Sequence, residues 1–262
     1  MTSKTVLITG AGSGIGQALA IEASFRGYDL ILVGRNPEKL AETNHLIAAD
    51  SMQIVIADVT QAQGRAAIKD AVGQKLGLLI NNAGTLAVGG LTSLSDEDLE
   101  SLAATNLTAP IALTRDLVPA LRCGGGRVVN VGSVFGDIAF PYFAAYSATK
   151  FGLRGFSDAL RRELEKDGVG VTYIAPRAVR TGAATAFERL IEPMKMTLDA
   201  PETVAVHAWD AIEAGRREAL PRSKERLFIW LQRLIPALVD EALSRQARDP
   251  DVQTALRPVR RS

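Results

Sequence analysis

Residues 5–17, TVLITGAGSGIGQ, join an apolar, β-branched run (Thr5–Thr9) to a glycine-rich turn and then to the start of a helical pattern. Four glycines, Gly10, Gly12, Gly14 and Gly16, alternate with small residues, among them Ser13. Without side chains, backbone amides can come close to a pyrophosphate, which then rests on the positive N-terminus of the following helix. The spacing G-x-x-x-G-x-G is a variant of the G-x-G-x-x-G dinucleotide fingerprint. A glycine turn alone is also compatible with a plain tight strand–helix connection, so its weight depends on what surrounds it.

What surrounds it is an alternation of strands and helices. After Thr5–Thr9 come strand-like runs at Leu30–Val33, Gln53–Ala57, Leu78–Asn81, Arg127–Val131 and Val169–Ile174. Between them lie helical patterns at about 15–26, 37–48, 61–74, 96–121 and 143–166. The runs VLIT, LILV, IVIA, LLIN and VVNV are continuously apolar, as strands covered on both faces must be. Right-handed crossovers then predict an α/β fold, a doubly wound parallel sheet with helices on both faces. No internal repeat or low-complexity linker divides the chain, so one domain is expected over 1–262. Its organisation is a mainly cofactor-binding half (1–125), a catalytic and substrate-lid half (126–222), amphipathic helices (223–248) and a tail (249–262). Asp137–Tyr142, which contains a proline, is expected to be a loop.

Composition narrows the function classes. The 262 residues are 47% hydrophobic and 23% charged, which excludes wholesale disorder. Thirty basic and twenty-nine acidic side chains leave a net charge of +1, giving no field that would recruit nucleic acid. The single cysteine, Cys123, can form neither an intramolecular disulfide nor a cysteine-based zinc site, and no metal site is expected. No apolar run approaches the roughly 18 residues of a spanning helix, and the N-terminal run is too short for a signal-peptide core. A cytoplasmic location is expected.

The second strand ends in Val33-Gly34-Arg35-Asn36, where an acidic residue would bind the adenosine ribose of NAD. The missing carboxylate removes repulsion against a 2′-phosphate, and Arg35, with Asn36 beside it, can pair with one. NADP(H) is therefore favoured over NAD(H). Asp58-Val59 falls at the same edge, where the carboxylate can accept from an adenine amino group or cap the following helix.

A second constellation occupies residues 131–150, VGSVFGDIAFPYFAAYSATK. Tyr146 and Lys150 stand at i,i+4 and share a helix face. A cation there is expected to lower the phenol's proton affinity toward the working pH. Such a phenol can exchange a proton with a carbonyl or alcohol oxygen.

Taken together, these motifs resemble the short-chain dehydrogenase/reductase superfamily in its compact single-domain branch, collinearly over about residues 4–181. TGAGSGIG at 9–16, which includes Ile15, is similar to that family's cofactor motif. Asn81-Asn82-Ala83-Gly84 is similar to its NNAG motif, and Asn106, Ser133, Tyr146 and Lys150 to its catalytic tetrad. The resemblance implies a Rossmann-type sheet of about seven strands, the last at Glu218–Leu220. It implies Tyr146 as general acid or base, Ser133 as hydrogen-bond partner of the substrate oxygen, and Lys150 as ligand of the nicotinamide ribose. Asn106 would hold a water in a proton relay. Asn82, Ala83 and Gly84 would brace the adenine side, with Pro176 and Thr181 beside the nicotinamide. Family members commonly form homodimers or homotetramers through the helix of the Tyr–Lys pair, here offering Phe151, Phe156 and Leu160.

One segment departs from the family pattern. Arg177 follows Pro176 where a glycine is usual. Either the backbone is strained or has adjusted, and the guanidinium is either solvated or a cation at the active-site rim. Beyond it, Phe187, Leu190, Ile191, Met194 and Met196 would form the apolar underside of a substrate lid, facing Val134, Phe135, Phe140, Tyr142 and Phe143. This suggests a hydrophobic carbonyl or alcohol as substrate. In 223–248, Leu227, Leu231, Leu234, Leu238 and Ala242 recur at three- and four-residue spacing, with Phe228, Ile235 and Val239 beside them. Ser223 is an expected N-cap and Pro236 a kink or a second helix start. Three roles are open for this segment: packing on the core or a subunit partner, closing over the substrate, or resting peripherally on a membrane. From Arg248 on, including Arg257, Arg260 and Arg261, the tail is expected to fray. The overall expectation is an NADP(H)-preferring oxidoreductase. The alternatives are a low-turnover redox sensor or an interaction protein acting through its C-terminal segment, which removal of 223–262 would separate.

Overall fold

In a computed structural model, described over residues 3–47, 51–223 and 225–256, the apolar runs pair into one sheet. Its strands are β1 (Thr5–Thr9), β2 (Asp29–Gly34), β3 (Met52–Ile56), β4 (Leu78–Asn81), β5 (Arg127–Val131), β6 (Gly170–Ile174) and β7 (Glu218–Ala219). They lie in the order β3-β2-β1-β4-β5-β6-β7, every pair parallel. The helices are α1 (Gly14–Phe25), α2 (Pro37–His45), α3 (Ala62–Val72), α4 (Asp96–Ala103), α5 (Ala109–Gly124) and α6 (Ala144–Leu164). After them come α7 (Glu188–Ile191), α8 (Pro201–Glu213), α9 (Glu225–Leu234), α10 (Pro236–Ala247) and α11 (Pro250–Ala255). The strand order reverses between β1 and β4. Open α/β sheets bind ligands at the carboxyl ends of the strands flanking such a point.

Both faces of the sheet are buried. On one, Val6, Ile8, Leu30 and Leu32 pack with Leu19 of α1 and Trp209 of α8. On the other, Leu7, Val33 and Leu79 pack with Leu113 and Leu117 of α5 and Leu160 of α6. α8 has no counterpart among the sequence expectations. Its signal was present: a proline in the first turn, then Val204, Ala205, Ala208, Trp209 and Ile212 on one buried face. The Trp209 indole donates to the Leu19 carbonyl at 3.0 Å, joining α8 to α1.

Two expectations need correction. The single helix over 96–121 is divided: α4 gives way to a π-helical turn at Ala104–Thr108 before α5 resumes. Pro110 has no N–H to give to the carbonyl of Asn106 four residues back, and the amide of Ala109 reaches instead to Ala104, five back. The C-terminal end is also more ordered than expected. Pro250–Ala255 forms α11, and Val252 is fully buried with Ile229 of α9 and Val239 of α10. These residues join the lid residues Phe187, Leu190 and Met194 in a third apolar cluster, so removing 223–262 would unroof it. Arg257, Arg260 and Arg261 lie outside the described residues.

Pro236 starts a second helix, as one of the two expectations had it. At the expected N-cap, the Ser223 hydroxyl donates to the Glu225 carboxylate. Among the described residues no helix is long and apolar enough to cross a membrane.

Candidate active site

A cleft of about 610 Å³ runs along the carboxyl ends of the strands, within the range of roughly 300–1,000 Å³ usual for ligand sites. Gly10, Ser13, Gly14 and Ile15 line one part of it, and Ser133, Tyr146 and Lys150 another. Arg35, Asp58, Val59, Ala83, Gly84, Pro176 and Thr181 also line it.

The glycine turn has the features an anion cradle needs. Gly14 takes φ 55°, which favours glycine, and a Cβ there would stand 2.9 Å from Cγ2 of Thr181. A Cβ on Gly16 would meet the Gly10 carbonyl at 2.1 Å. Ser13 makes no side-chain cap, so the first-turn amides of α1 carry no intrahelical partner at the edge of the cleft. Asn82 fastens the turn from below: its side chain donates to the carbonyls of Thr9 (2.9 Å) and Gly10 (3.3 Å). Thr9, which sequence reasoning passed over, accepts from the amides of Asn82 and Ala83, each at 3.0 Å. These residues fit a dinucleotide's pyrophosphate.

At the β2 end the structure separates neighbours. Arg35 lies 79% exposed over the cleft, 3.9 Å from Asp58. Lys39, absent from the expected set, lines the cleft beside it. Asn36 does not line it, because its side chain caps α2 by accepting from the Lys39 amide at 2.8 Å. Gly12 and Gly16 lie behind the lining, where they serve close packing. Asp58 accepts from the amide and hydroxyl of Thr60 at 2.9 and 2.7 Å, closing a turn rather than capping α3, whose N-cap is Gln61. Burial works against its charge, but the Thr60 bonds and Arg35 prevail and hold the carboxyl below its ordinary range.

Ser133 follows β5, with its hydroxyl accepting from the Phe135 amide at 3.1 Å. Tyr146 and Lys150 occupy the first two turns of α6, their rows aligned by the i,i+4 spacing. Phe135 meets the Tyr146 ring edge-on at 6.0 Å and fixes its plane. The Lys150 ammonium stands 5.6 Å from the Tyr146 ring centroid and donates to the Val131 carbonyl at 3.1 Å. Asn106, in the π-helical turn, has both amide protons engaged, by Thr85 O (2.9 Å) and Thr149 Oγ1 (3.2 Å), while its Oδ1 accepts from the Thr85 amide at 2.8 Å. Its side chain is thus a brace between the loop after β4 and α6, with one oxygen lone pair left over.

The electrostatics correct an expectation. The Tyr146 proton is held more tightly, not less: burial pushes the phenol up to about 12, opposed only by a hydrogen bond with Ser133. Burial also depresses Lys150 to about 8. In this state the low-dielectric surroundings penalise both charged forms. The tyrosine is therefore a protonated acid at neutral pH. Its ring still borders the open cleft, whereas Lys150 is 5% exposed.

Arg177 is neither strained nor solvated, nor a free rim cation. Among the described residues, positive φ outside glycine occurs only at Tyr142 and Lys195. The guanidinium forks onto both oxygens of Asp199 (2.8 and 2.6 Å) and reaches Glu225 at 3.4 Å. It ties the segment after β6 to the far end of the lid and to the first turn of α9. No local pattern revealed this, because the partners are 22 and 48 residues away. A second network shares that property: buried Asp137 pairs with Arg154 of α6 (3.0 Å) and Arg233 of α9 (2.8 Å). Tyr142, an expected wall residue, extends its hydroxyl to the Ala247 carbonyl at 2.8 Å. On α6, Leu160 belongs to the chain's own core and Phe156 packs against it, leaving Phe151 exposed.

A family model described as short chain dehydrogenase matches residues 4–190. The 17-beta-hydroxysteroid dehydrogenase type 6 of Bos taurus is 38% identical over 201 residues, 74% of this chain and 62% of the bovine one, so the chain spans less than two thirds of that relative. A short chain dehydrogenase/reductase from Burkholderia phymatum, solved with NAD, superposes with a TM-score of 0.82 at 25% identity, covering 91% of this chain and 95% of the other. A short-chain dehydrogenase from Sphingobium yanoikuyae, solved with NADPH, gives a TM-score of 0.76 at 26% identity, covering 98% and 99%. With its switch-point cleft, glycine cradle and Ser133–Tyr146–Lys150 set, the chain belongs to the short chain dehydrogenase family of oxidoreductases.

Proposed function

We propose that the chain interconverts a carbonyl and an alcohol by hydride transfer with a nicotinamide dinucleotide, NADP(H) in preference to NAD(H). The observation that carries this reading is one cleft lined both by the glycine cradle and by Ser133, Tyr146 and Lys150. Gly10–Gly16, Asn82–Gly84, Pro176 and Thr181 would hold the dinucleotide, which when bound supplies or accepts the hydride. Arg35 supports the NADP(H) preference, and Lys39 adds a second cation on the side where a 2′-phosphate would sit.

In reduction, Tyr146 donates its proton to the carbonyl oxygen and the Ser133 hydroxyl hydrogen-bonds the same atom. The phenol is protonated at neutral pH, as this step requires. The nearby Lys150 ammonium stabilises the phenolate left behind. Asn106 would contribute a water to reprotonation through its spare Oδ1 lone pair. An apolar substrate is supported by the cluster of Val134, Phe135, Phe143, Phe187 and Met194 beside the cleft, and by the steroid named for the bovine relative. A cytoplasmic homodimer or homotetramer remains part of this reading, with Phe151 of α6 and Leu99 of α4 exposed on helices that pack together.

The test is a panel of apolar aldehydes and ketones, with loss of NADPH absorbance as the readout. Turnover with several members is expected. If NADPH binds but no carbonyl is reduced, a low-turnover redox sensor replaces the enzyme.

A further inference from the structure

α9 sits on the protein by its polar side. Ile229 is its one buried residue. Leu231 packs into the same cluster as Ile229, and the neighbours of Ile229 at three and four residues are polar: the half-buried Glu225 and Gln232, Arg233, and the exposed Arg226. Two of them anchor the helix: Glu225 pairs with Arg177, and Arg233 with Asp137. Surface helices ordinarily do the reverse, turning apolar residues to the core and charge to water.

The result is a broad apolar face without cover. Leu227 (62% exposed), Phe228, Trp230 and Leu234 (74% exposed) point away from the core, and Ile235 and Leu238 extend the patch across the turn into α10. The charge around α9 is one-sided. Arg222 and Arg226 are exposed at its margins, while its one acid, Glu225, is turned inward and engaged by Arg177 and Ser223, and Arg233 is spent on Asp137 and Glu218. Asp210 reaches Arg222 only at 3.8 Å. On α10, Glu241 is neutralised by Arg245. The Arg233 guanidinium lies 5.6 Å over the Trp230 ring, joining the cationic margin to the aromatic face.

We infer that the α9–α10 face docks on the surface of an anionic lipid bilayer. A helix with Trp, Phe and Leu on one face, cations at its margins and no spanning length has the composition of an interfacial anchor. Trp230 has the amphipathic ring suited to the headgroup level. A second copy of the chain is the less favourable occupant, because it would offer Arg222 and Arg226 of α9 only the same apolar, arginine-rimmed helix. Anionic headgroups instead neutralise Arg222 and Arg226.

The experiment mixes the full chain with vesicles of phosphatidylcholine alone, or of phosphatidylcholine with phosphatidylserine, and follows co-sedimentation and tryptophan emission. Trp209 is fully buried, so a blue shift reports Trp230. Binding to the anionic vesicles is expected, weakening on the order of 30-fold on the neutral ones for two arginines and also falling with added salt. Leu234→Glu should abolish it while near-ultraviolet circular dichroism and cofactor binding stay unchanged. If Leu234→Glu does not fold, R222S/R226S takes its place and should reduce binding to the level seen on neutral vesicles. Failure of the unmodified chain to bind anionic vesicles overturns the inference. So does binding that survives these substitutions, or concentration-dependent self-association that Leu234→Glu abolishes in the absence of vesicles, which would assign the face to a second copy.

Discussion

Replacing Lys150 with methionine should make the protein more stable and less active. The ammonium lies under the cleft, and burial alone brings it from 10.5 to about 8. That change corresponds to roughly 3 kcal/mol disfavouring the charged folded form. The sign follows from proton uptake: between about 8 and 10.5 the unfolded chain binds the proton and the folded chain does not, so this contribution raises stability as pH increases. Below about 8 both forms are charged and the full penalty applies. Methionine keeps much of the volume and removes the charge, but leaves the Val131 carbonyl without the donor it has at 3.1 Å. That loss takes back about 1–2 kcal/mol. The net expectation at neutral pH is a gain of about 1–2 kcal/mol, or about 2–4 °C in melting temperature per kcal/mol for a chain of this size. Urea unfolding of the cofactor-free wild type and variant, at neutral pH and again near pH 10, measures it. The gap should narrow as pH rises, while kcat/KM falls steeply. A variant less stable than wild type at neutral pH, or a gap indifferent to pH, would refute the reasoning.

Tyr146→Phe removes the phenol but not the ring that packs on Phe135; turnover should drop by about 100- to 10,000-fold with cofactor affinity retained, and persisting activity would exclude Tyr146 as the acid. Arg35→Ala should weaken NADPH about 10-fold and leave NADH unchanged, since the guanidinium is largely solvated and its phosphate contact correspondingly modest. Equal effects on both cofactors in a fluorescence titration would count against its role. Arg177→Ala leaves Asp199 and Glu225 without their fork and loosens the lid. KM is expected to rise several-fold and stability to fall by about 1–2 kcal/mol, and steady-state kinetics with unchanged KM would show that the lid does not depend on this clamp.

The sheet was legible because its strands are buried on both faces, which writes them as unbroken apolar runs such as VLIT and LLIN. The glycine turn and the Tyr146–Lys150 pair were legible for a related reason, since each is a local geometry that only certain residues at a set spacing satisfy. The π-helical turn around Asn106 was also signalled locally, by Pro110, yet a proline inside an amphipathic pattern does not say which adjustment the helix will make.

What only the tertiary structure decided were the interactions between residues distant in sequence. Arg177 looked like a substituted glycine until Asp199 and Glu225 were brought to it. The direction of the Tyr146 and Lys150 shifts required knowing how much water the fold removes, because spacing brings two charges together but carries no measure of the dielectric around them. The C-terminal helices carry the same lesson. Periodicity alone grouped Leu227, Leu231, Leu234, Leu238 and Ala242, but not which way they point, and the fold splits the group by packing Leu231 against the core. The ion pairs of Glu225 and Arg233 settled that by turning these two polar residues inward and leaving Leu227, Leu234 and Leu238 outside. Periodicity is a property of the chain, whereas the side facing the core depends on which charges the rest of the fold supplies.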